Sequence, residues 1–209
     1  MTIRISSFRY LNLLLLLILT ISPYSRADET TGAIIVVEKL HETLLNVMKN
    51  AGEQGFRDRY NVLAPVVNES FDTPLIAKVA TSRYWKKLSD KKKSDFIRQF
   101  NKLSISTYAS RFDSFSGESF NTLSTETLKK GRLLIKTEIS SPGDDPVRLD
   151  YLMHNKDGKW YIISVIADGV NDLALKRAEY ASVIKKNGFD ALISKINDKI
   201  RNLEKPADN

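Results

Sequence analysis

Arg177 stands where a hydrophobic residue is expected. Leu173, Tyr180 and Ile184 recur around it at the three- and four-residue spacing of one helix face. A guanidinium set into an apolar stripe needs compensation, because an unpaired buried charge is too costly. Two arrangements supply it. One is an ion pair with Asp168 or Asp172. The other is contact with an anionic headgroup at the mouth of a pocket, where the planar fork of Arg suits bidentate phosphate binding. A second basic feature is Lys86-Lys87 followed by Lys91-Lys92-Lys93. The last three fall in the first turn of an expected helix, where positive charge opposes the macrodipole. Such a cluster fits a solvated surface, and it also fits docking on an anionic membrane surface or an acidic partner.

The other reactive side chains assemble no catalyst. His41 and His154 are the two histidines and lie in different elements. His41 falls on an apolar helical stripe, the setting of a hydrogen-bonded structural histidine. The Asp144-Asp145 pair sits in a Gly/Pro loop and reads as turn chemistry. The chain has no G-x-S-x-G, no H-E-x-x-H, no Gly-rich phosphate loop and no dinucleotide fingerprint. It also has no cysteine, which removes thiol catalysis, thiolate metal sites and an acylated N-terminus. No catalytic residue, metal ligand or cofactor is therefore expected, and a binding protein is the default.

Helices must carry the first half and the end of the chain, and strands the middle. Ile34, Val37, His41, Leu44 and Met48 form a first helical stripe, ended by Gly52 and Gly55. Phe56, Tyr60, Leu63 and Val67 form a second, bent or interrupted at Pro65. Thr73 and Pro74 read as the cap and first position of a third helix. Ser89-Asp90 caps a long fourth helix with Phe96, Phe100, Leu103 and Thr107 on one face.

From Ser119 to Asp168 the period changes to two. Leu133, Ile135 and Ile139 alternate with Lys136 and Glu138, and Val147, Leu149, Tyr151 and Met153 with Arg148, Asp150 and His154. Asn155-Lys156-Asp157-Gly158 reads as a hairpin turn. The run from Trp160 to Ala167 is apolar on both faces apart from Ser164, as expected of a central strand. Two helices close the chain, the last with Phe189, Leu192, Ile193, Ile196, Ile200 and Leu203 on one side. The fold class is α+β: a curved antiparallel sheet of about four strands packed against several helices, an architecture that can enclose an apolar pocket.

The first 27 residues say where this domain works. Arg4 and Arg9 precede an apolar core from Leu11 to Ile21, Pro23 breaks it, and Ser25-Arg26-Ala27 offers small residues at a cleavage site. That is the layout of a secretory leader, and the apolar run is roughly half the length a membrane-spanning helix needs. Residues 1–27 are expected to be a signal peptide cleaved near Ala27, and 28–209 one mature domain. With no cysteine, a bacterial periplasm suits it better than a disulfide-rich secreted setting. The net charge of +7 includes Arg4, Arg9 and Arg26, so the mature chain carries only +4. That mild charge, with no basic-region or RNP-type pattern, argues against nucleic acid.

Three segments together resemble a known family. Phe71-Asp72-Thr73-Pro74-Leu75-Ile76-Ala77-Lys78 followed by Arg83-Tyr84-Trp85 looks like its F-D-x-x-x-I-A…W signature. Phe96, Phe100, Tyr108 and Gly117 follow its F-x-x-x-F…T-Y…G pattern. Gly158-Lys159-Trp160, Gly169-Val170, Arg177-Ala178-Glu179-Tyr180, Gly188 and Leu192-Ile193 follow its tail. The family is the MlaC-like, or toluene-tolerance Ttg2D-like, periplasmic lipid carriers, and the tail is similar to its hopanoid-associated HpnM branch. Ser82 stands where the family usually has Gly, Ser164 where Asp is common, and Asn171 where Ser is common.

The resemblance implies an NTF2-like sheet plus a helical lobe and a lipid held between sheet and helices. It implies exchange of that lipid with an inner-membrane ABC transporter complex and an outer-membrane complex, through transient membrane-surface contact, by a monomer. The expected lipid-binding residues are Phe71, Ile76, Phe96, Phe100, Tyr108, Leu149, Tyr151, Met153, Trp160 and Ile162, with Arg177, Lys91, Lys92 and Lys93 for headgroup contact or docking. Leu149, Tyr151 and Met153 are expected to face Phe96 and Phe100 across one pocket. The leading function is a carrier of glycerophospholipid in an ABC-type system that maintains outer-membrane asymmetry. The alternatives are a hopanoid or other polycyclic lipid carrier, a structural interaction module, and a hydrolase for which no nucleophile–base pair is found.

Overall fold

A computed structural model describes residues 24–205, with side chains described from Thr30 onward. The expected leader falls almost wholly outside these residues. The described residues form six α-helices and five strands. The helices α1 (Tyr24–Lys49), α2 (Phe56–Ser70), α3 (Thr73–Thr81) and α4 (Asp90–Arg111) precede the sheet, and α5 (Asp172–Asn187) and α6 (Phe189–Leu203) follow it. None of them is long and apolar enough to cross a membrane.

The sheet is an antiparallel meander in the order β1 (Ser119–Leu128), β2 (Arg132–Ser140), β3 (Val147–Lys156), β4 (Lys159–Ala167) and β5 (Val170–Asn171). Asp157 and Gly158 both take positive φ, 54° and 81°, the geometry of the tightest hairpin connection between β3 and β4. The Asn155 side chain accepts the Gly158 N–H at 3.0 Å and holds the turn. β4 is less central than its composition suggests. Beyond it lies only the two-residue β5, and elsewhere its outer edge is covered by the α2–α3 junction, where the Asp72 N–H donates to the Ile162 carbonyl at 3.1 Å.

The apolarity of both faces of β4 has a specific cause. Met153 pairs with Ile162 and Leu152 with Ser164, so Ile163 is an extra residue, a β-bulge. Ile162 and Ile163, as neighbours, point to opposite sides of the sheet and enter different cores, and the bulge shifts the alternation so that Val165 returns to the side of Trp160 and Ile162. The first core joins α1 and α2 to the sheet through Val37, Leu40, Leu44, Leu63, Ile135, Tyr151, Met153, Trp160 and Ile162. The second joins α3, α4, α5 and α6 through Ile76, Ala77, Phe96, Phe100, Tyr180, Leu192, Ile196 and Ile200, with Ile163 from the sheet.

Helix α4 belongs to both. Phe96, Phe100 and Leu103 pack in the second core, Ile105 and Ala109 in the first. A helix of 22 residues is about 33 Å long, enough for its two ends to lie against different neighbours. Leu149, Tyr151 and Met153 therefore do not face Phe96 and Phe100 across one space, and the stripe on α4 divides where the helix passes from one core to the other.

Two local expectations also shift. Helix α2 runs unbroken through Pro65. Pro65 is exposed, so water can satisfy the carbonyl that its missing N–H leaves without a partner. The cap of α3 is Asp72 rather than Thr73. Its carboxylate accepts the Leu75 N–H at 3.0 Å, placing Pro74 at the second helical position.

Candidate functional site

The residues expected to bind lipid are distributed over the two cores. Tyr151, Met153, Trp160 and Ile162 are buried in the first, with Leu149 and Tyr108 packed against it. Ile76, Phe96 and Phe100 are buried in the second. Phe71 touches both and lines a small cleft of about 380 Å³ beside α4, where Thr73 and Asn101 also meet.

The first core is sealed by polar anchors. His41 lies 3.0 Å from the Tyr151 hydroxyl and stacks on Phe120 with ring centroids 4.1 Å apart. Burial pushes the His41 pKa down to about 4, so the ring is neutral at pH 7. Burial likewise raises the Tyr151 pKa well above the ordinary phenol range. A neutral pair in hydrogen-bond contact holds α1 on β3, the structural role expected of His41.

The other histidine is equally occupied. His154 Nε2 lies 3.0 Å from Asp72 Oδ2, while the other carboxylate oxygen of Asp72 caps α3. Asp72 is only 7% exposed and ties the start of α3 to β3 and β4. Among the described residues no group of three or more His, Asp or Glu could hold a metal ion.

An open cleft of about 830 Å³ lies instead between α5 and the end of α3 with the 3₁₀ turn that follows it, Ser82–Lys87. Its volume is within the range of small-molecule sites. One wall is Val79, Ser82, Arg83 and Tyr84. Ser82 closes α3 with φ 53° and ψ −128°, a conformation favourable to Gly and costing other residues about 1–3 kcal/mol. The tight reversal turns Ser82, Arg83 and Tyr84 along the cleft instead of continuing the helix.

The opposite wall is one side of α5. Ala174, Ala178 and Ala181 recur at spacings of four and three, with Arg177 beside them. Small side chains keep that side of α5 open, while Leu173 at its N-terminal end packs against the second core. Sequence reading named Arg177 and passed over the alanines, whose spacing was the available signal. At the head of α5, Asn171 accepts both the Ala174 N–H at 2.9 Å and the Ser164 hydroxyl at 3.1 Å. Ser164 and Asn171 are two positions where this sequence departs from the family pattern it resembles. Here they bond each other as hydroxyl donor and amide acceptor.

Among the described residues Arg177 makes no ion pair, buried or otherwise. It is exposed, and the acids near it serve other partners. Asp168 accepts the Arg148 N–H at 2.9 Å, Asp172 pairs with Lys176, and Glu179 with Lys195 at 2.7 Å. Of the lysine cluster, Lys86 and Lys87 end the 3₁₀ turn whose first residues form the cleft wall, whereas Lys91, Lys92 and Lys93 do not line the cleft and are paired. Lys91 meets Asp95 at 2.8 Å, Lys92 meets Asp190 at 2.8 Å and Lys93 meets Asp90 at 2.9 Å.

This architecture has known counterparts. The phospholipid-binding protein from Ralstonia solanacearum, solved in complex with a phospholipid, matches with a TM-score of 0.73 at 16% sequence identity. The match covers 83% of this chain and 99% of that one, so the fold is shared nearly end to end. The family model described as MlaC protein matches residues 38–198, well over half of the sequence. The chain belongs to the MlaC family.

Proposed function

We propose that this protein is a periplasmic carrier of glycerophospholipid, exported by the leader at 1–27 and working as the mature domain 28–209. It would exchange lipid with an inner-membrane ABC transporter complex and an outer-membrane complex, in a system that maintains the lipid asymmetry of the outer membrane. The observation that carries the reading is the family match, which spans α1 to α6 in the same fold as a chain solved around a phospholipid.

Physical chemistry favours a carrier for such cargo. At about 0.8 kcal/mol per buried CH₂, a two-chain lipid of some 30 methylenes costs on the order of 20 kcal/mol to expose to water. A protein that covers the chains removes most of that barrier. The α3–α5 cleft, with Val79, Leu173 and the alanine side of α5 as its apolar lining, is where we place the entry of the chains.

Organic extraction of protein purified without detergent, followed by mass spectrometry, tests the reading. About one phospholipid per chain is expected. Lipid-free protein that also takes up nothing from vesicles would sink the carrier reading. A polycyclic lipid without phosphate would redirect it to hopanoid-type cargo.

A further inference from the structure

The α3–α5 cleft carries positive charge without a counter-charge. Arg83 and Arg177 are both exposed at its lining, on opposite walls, and no carboxylate is among the described residues that line it. The Arg83 guanidinium contacts the Tyr84 hydroxyl at 3.3 Å and lies 5.2 Å from the Tyr84 ring centroid, so an aromatic side chain orients it without neutralising it. Among the described residues Arg177 has no ion pair, and Asp172 and Glu179 on its own helix are held by Lys176 and Lys195.

The other polar groups at the cleft point to the same chemistry. The Asn171 amide oxygen is taken up by Ala174 and Ser164, which leaves its NH₂ as the free end of that side chain. Ser82 adds a hydroxyl from a backbone conformation that would suit Gly better. Strain retained at a site wall calls for a functional explanation. What the cleft offers is two guanidinium forks, an amide NH₂ and hydroxyls above an apolar lining, with no carboxylate to receive an ammonium group.

The geometry points to a phosphate-ester recognition site at which Arg83 and Arg177 select lipids with net negative headgroups over zwitterionic ones. The inference rests on the carrier reading and adds to it the headgroup class. A phosphatidylglycerol headgroup brings one negative charge and hydroxyls that match these donors. A phosphatidylethanolamine headgroup brings the same phosphate with an ammonium that two arginines repel. Free phosphate monoesters share the anionic chemistry, so the test must separate the two sources.

The experiment incubates the purified mature chain with vesicles of equal phosphatidylglycerol and phosphatidylethanolamine, re-isolates it, and measures the headgroup ratio of bound lipid. On the wild type we expect enrichment of phosphatidylglycerol on the order of tenfold, the scale of one charge-assisted hydrogen bond. In Arg83→Gln/Arg177→Gln the ratio should fall to that of the vesicles. Arg177→Lys, which keeps the charge and loses the fork, should lie between them and guards against a folding defect in the double variant. Lipid bound at the vesicle ratio by the wild type would overturn the inference and leave the carrier reading standing. A wild type that takes up no lipid at all would remove both. In a parallel arm, sn-glycerol 3-phosphate at millimolar concentration should not displace the bound lipid. Displacement that depends on the arginines would assign the site to soluble phosphate esters and overturn the lipid claim.

Discussion

The core under α1 and α2 and the core among α3 to α6 use the same kinds of side chain and end differently. The first closes on itself: Tyr151, Met153, Ile135 and Leu44 have 1% of their surface exposed or less, and His41 and Tyr151 satisfy each other inside it. The second is rich in aromatic contacts, with Phe96, Phe100 and Tyr180 in edge-to-face pairs about 6 Å apart, yet it borders an open cleft. Burial does not separate them, since Phe96 and Leu192 are as fully enclosed as Leu44; what does is that the second core borders the cleft we propose as the site.

The sharpest way to test that contrast is to hollow each core. Leu44→Ala should cost about 2–5 kcal/mol and Phe96→Ala about 3–5 kcal/mol, both read from denaturant unfolding. Lipid bound per folded molecule should stay constant for Leu44→Ala and change for Phe96→Ala. Equal effects of both variants on cargo would erase the distinction between scaffold and site.

Acid should strike the first core through His41. Its pKa is about 4 folded against 6.5 in the open chain, so only the unfolded state takes up a proton between those values. The contribution is fully present above pH 6.5, is lost progressively as pH falls towards 4, and amounts to about 3 kcal/mol. His41→Gln should flatten that limb of the stability profile. An unchanged slope would mean that His41 is not held neutral.

Bulk added on the two sides gives a smaller and more selective effect. Leu149→Trp forces volume against the first core and should cost about 1–3 kcal/mol. Ala178→Trp projects into the cleft and should change stability by no more than about 0.5 kcal/mol while lowering lipid content. Lipid loss in Leu149→Trp instead would move the acyl chains to the sheet side.

The weakest effect is expected at the lysines. Each of Lys91, Lys92 and Lys93 has an aspartate partner, and exposed pairs are worth about 0.2–1 kcal/mol. Replacing all three with Gln should leave lipid transfer to anionic vesicles unchanged, even at low salt. Slower transfer that recovers as salt rises would assign them to docking.

Much of the scaffold was legible because its signals are local. The alternation in β2 and β3, the Asp157-Gly158 turn and the stripe along α6 each depend on neighbours within one element. The division between cores was not, because Phe96 and Tyr108 lie on one helix and only its length and placement send them to different partners. The same holds for Arg177. Its spacing with Leu173, Tyr180 and Ile184 was visible, but its freedom depends on Lys176 and Lys195 having claimed the nearby acids. The bulge at Ile163 was hidden for the opposite reason, since an extra residue in an apolar run looks like ordinary strand.

That bulge also bears on which changes in chain length the fold can absorb. Removing Ile163 would restore regular pairing with β3, leaving Trp160 and Ile162 on one side of the gap and Val165 on the other still directed at the first core. Removing a residue from the regular part of β3 would instead turn every following side chain to the wrong face. Among descendants of this sequence, a one-residue gap in β4 should be survivable at 163, at the expense of one apolar contact to the helical core, and should be purged from the middle of β3.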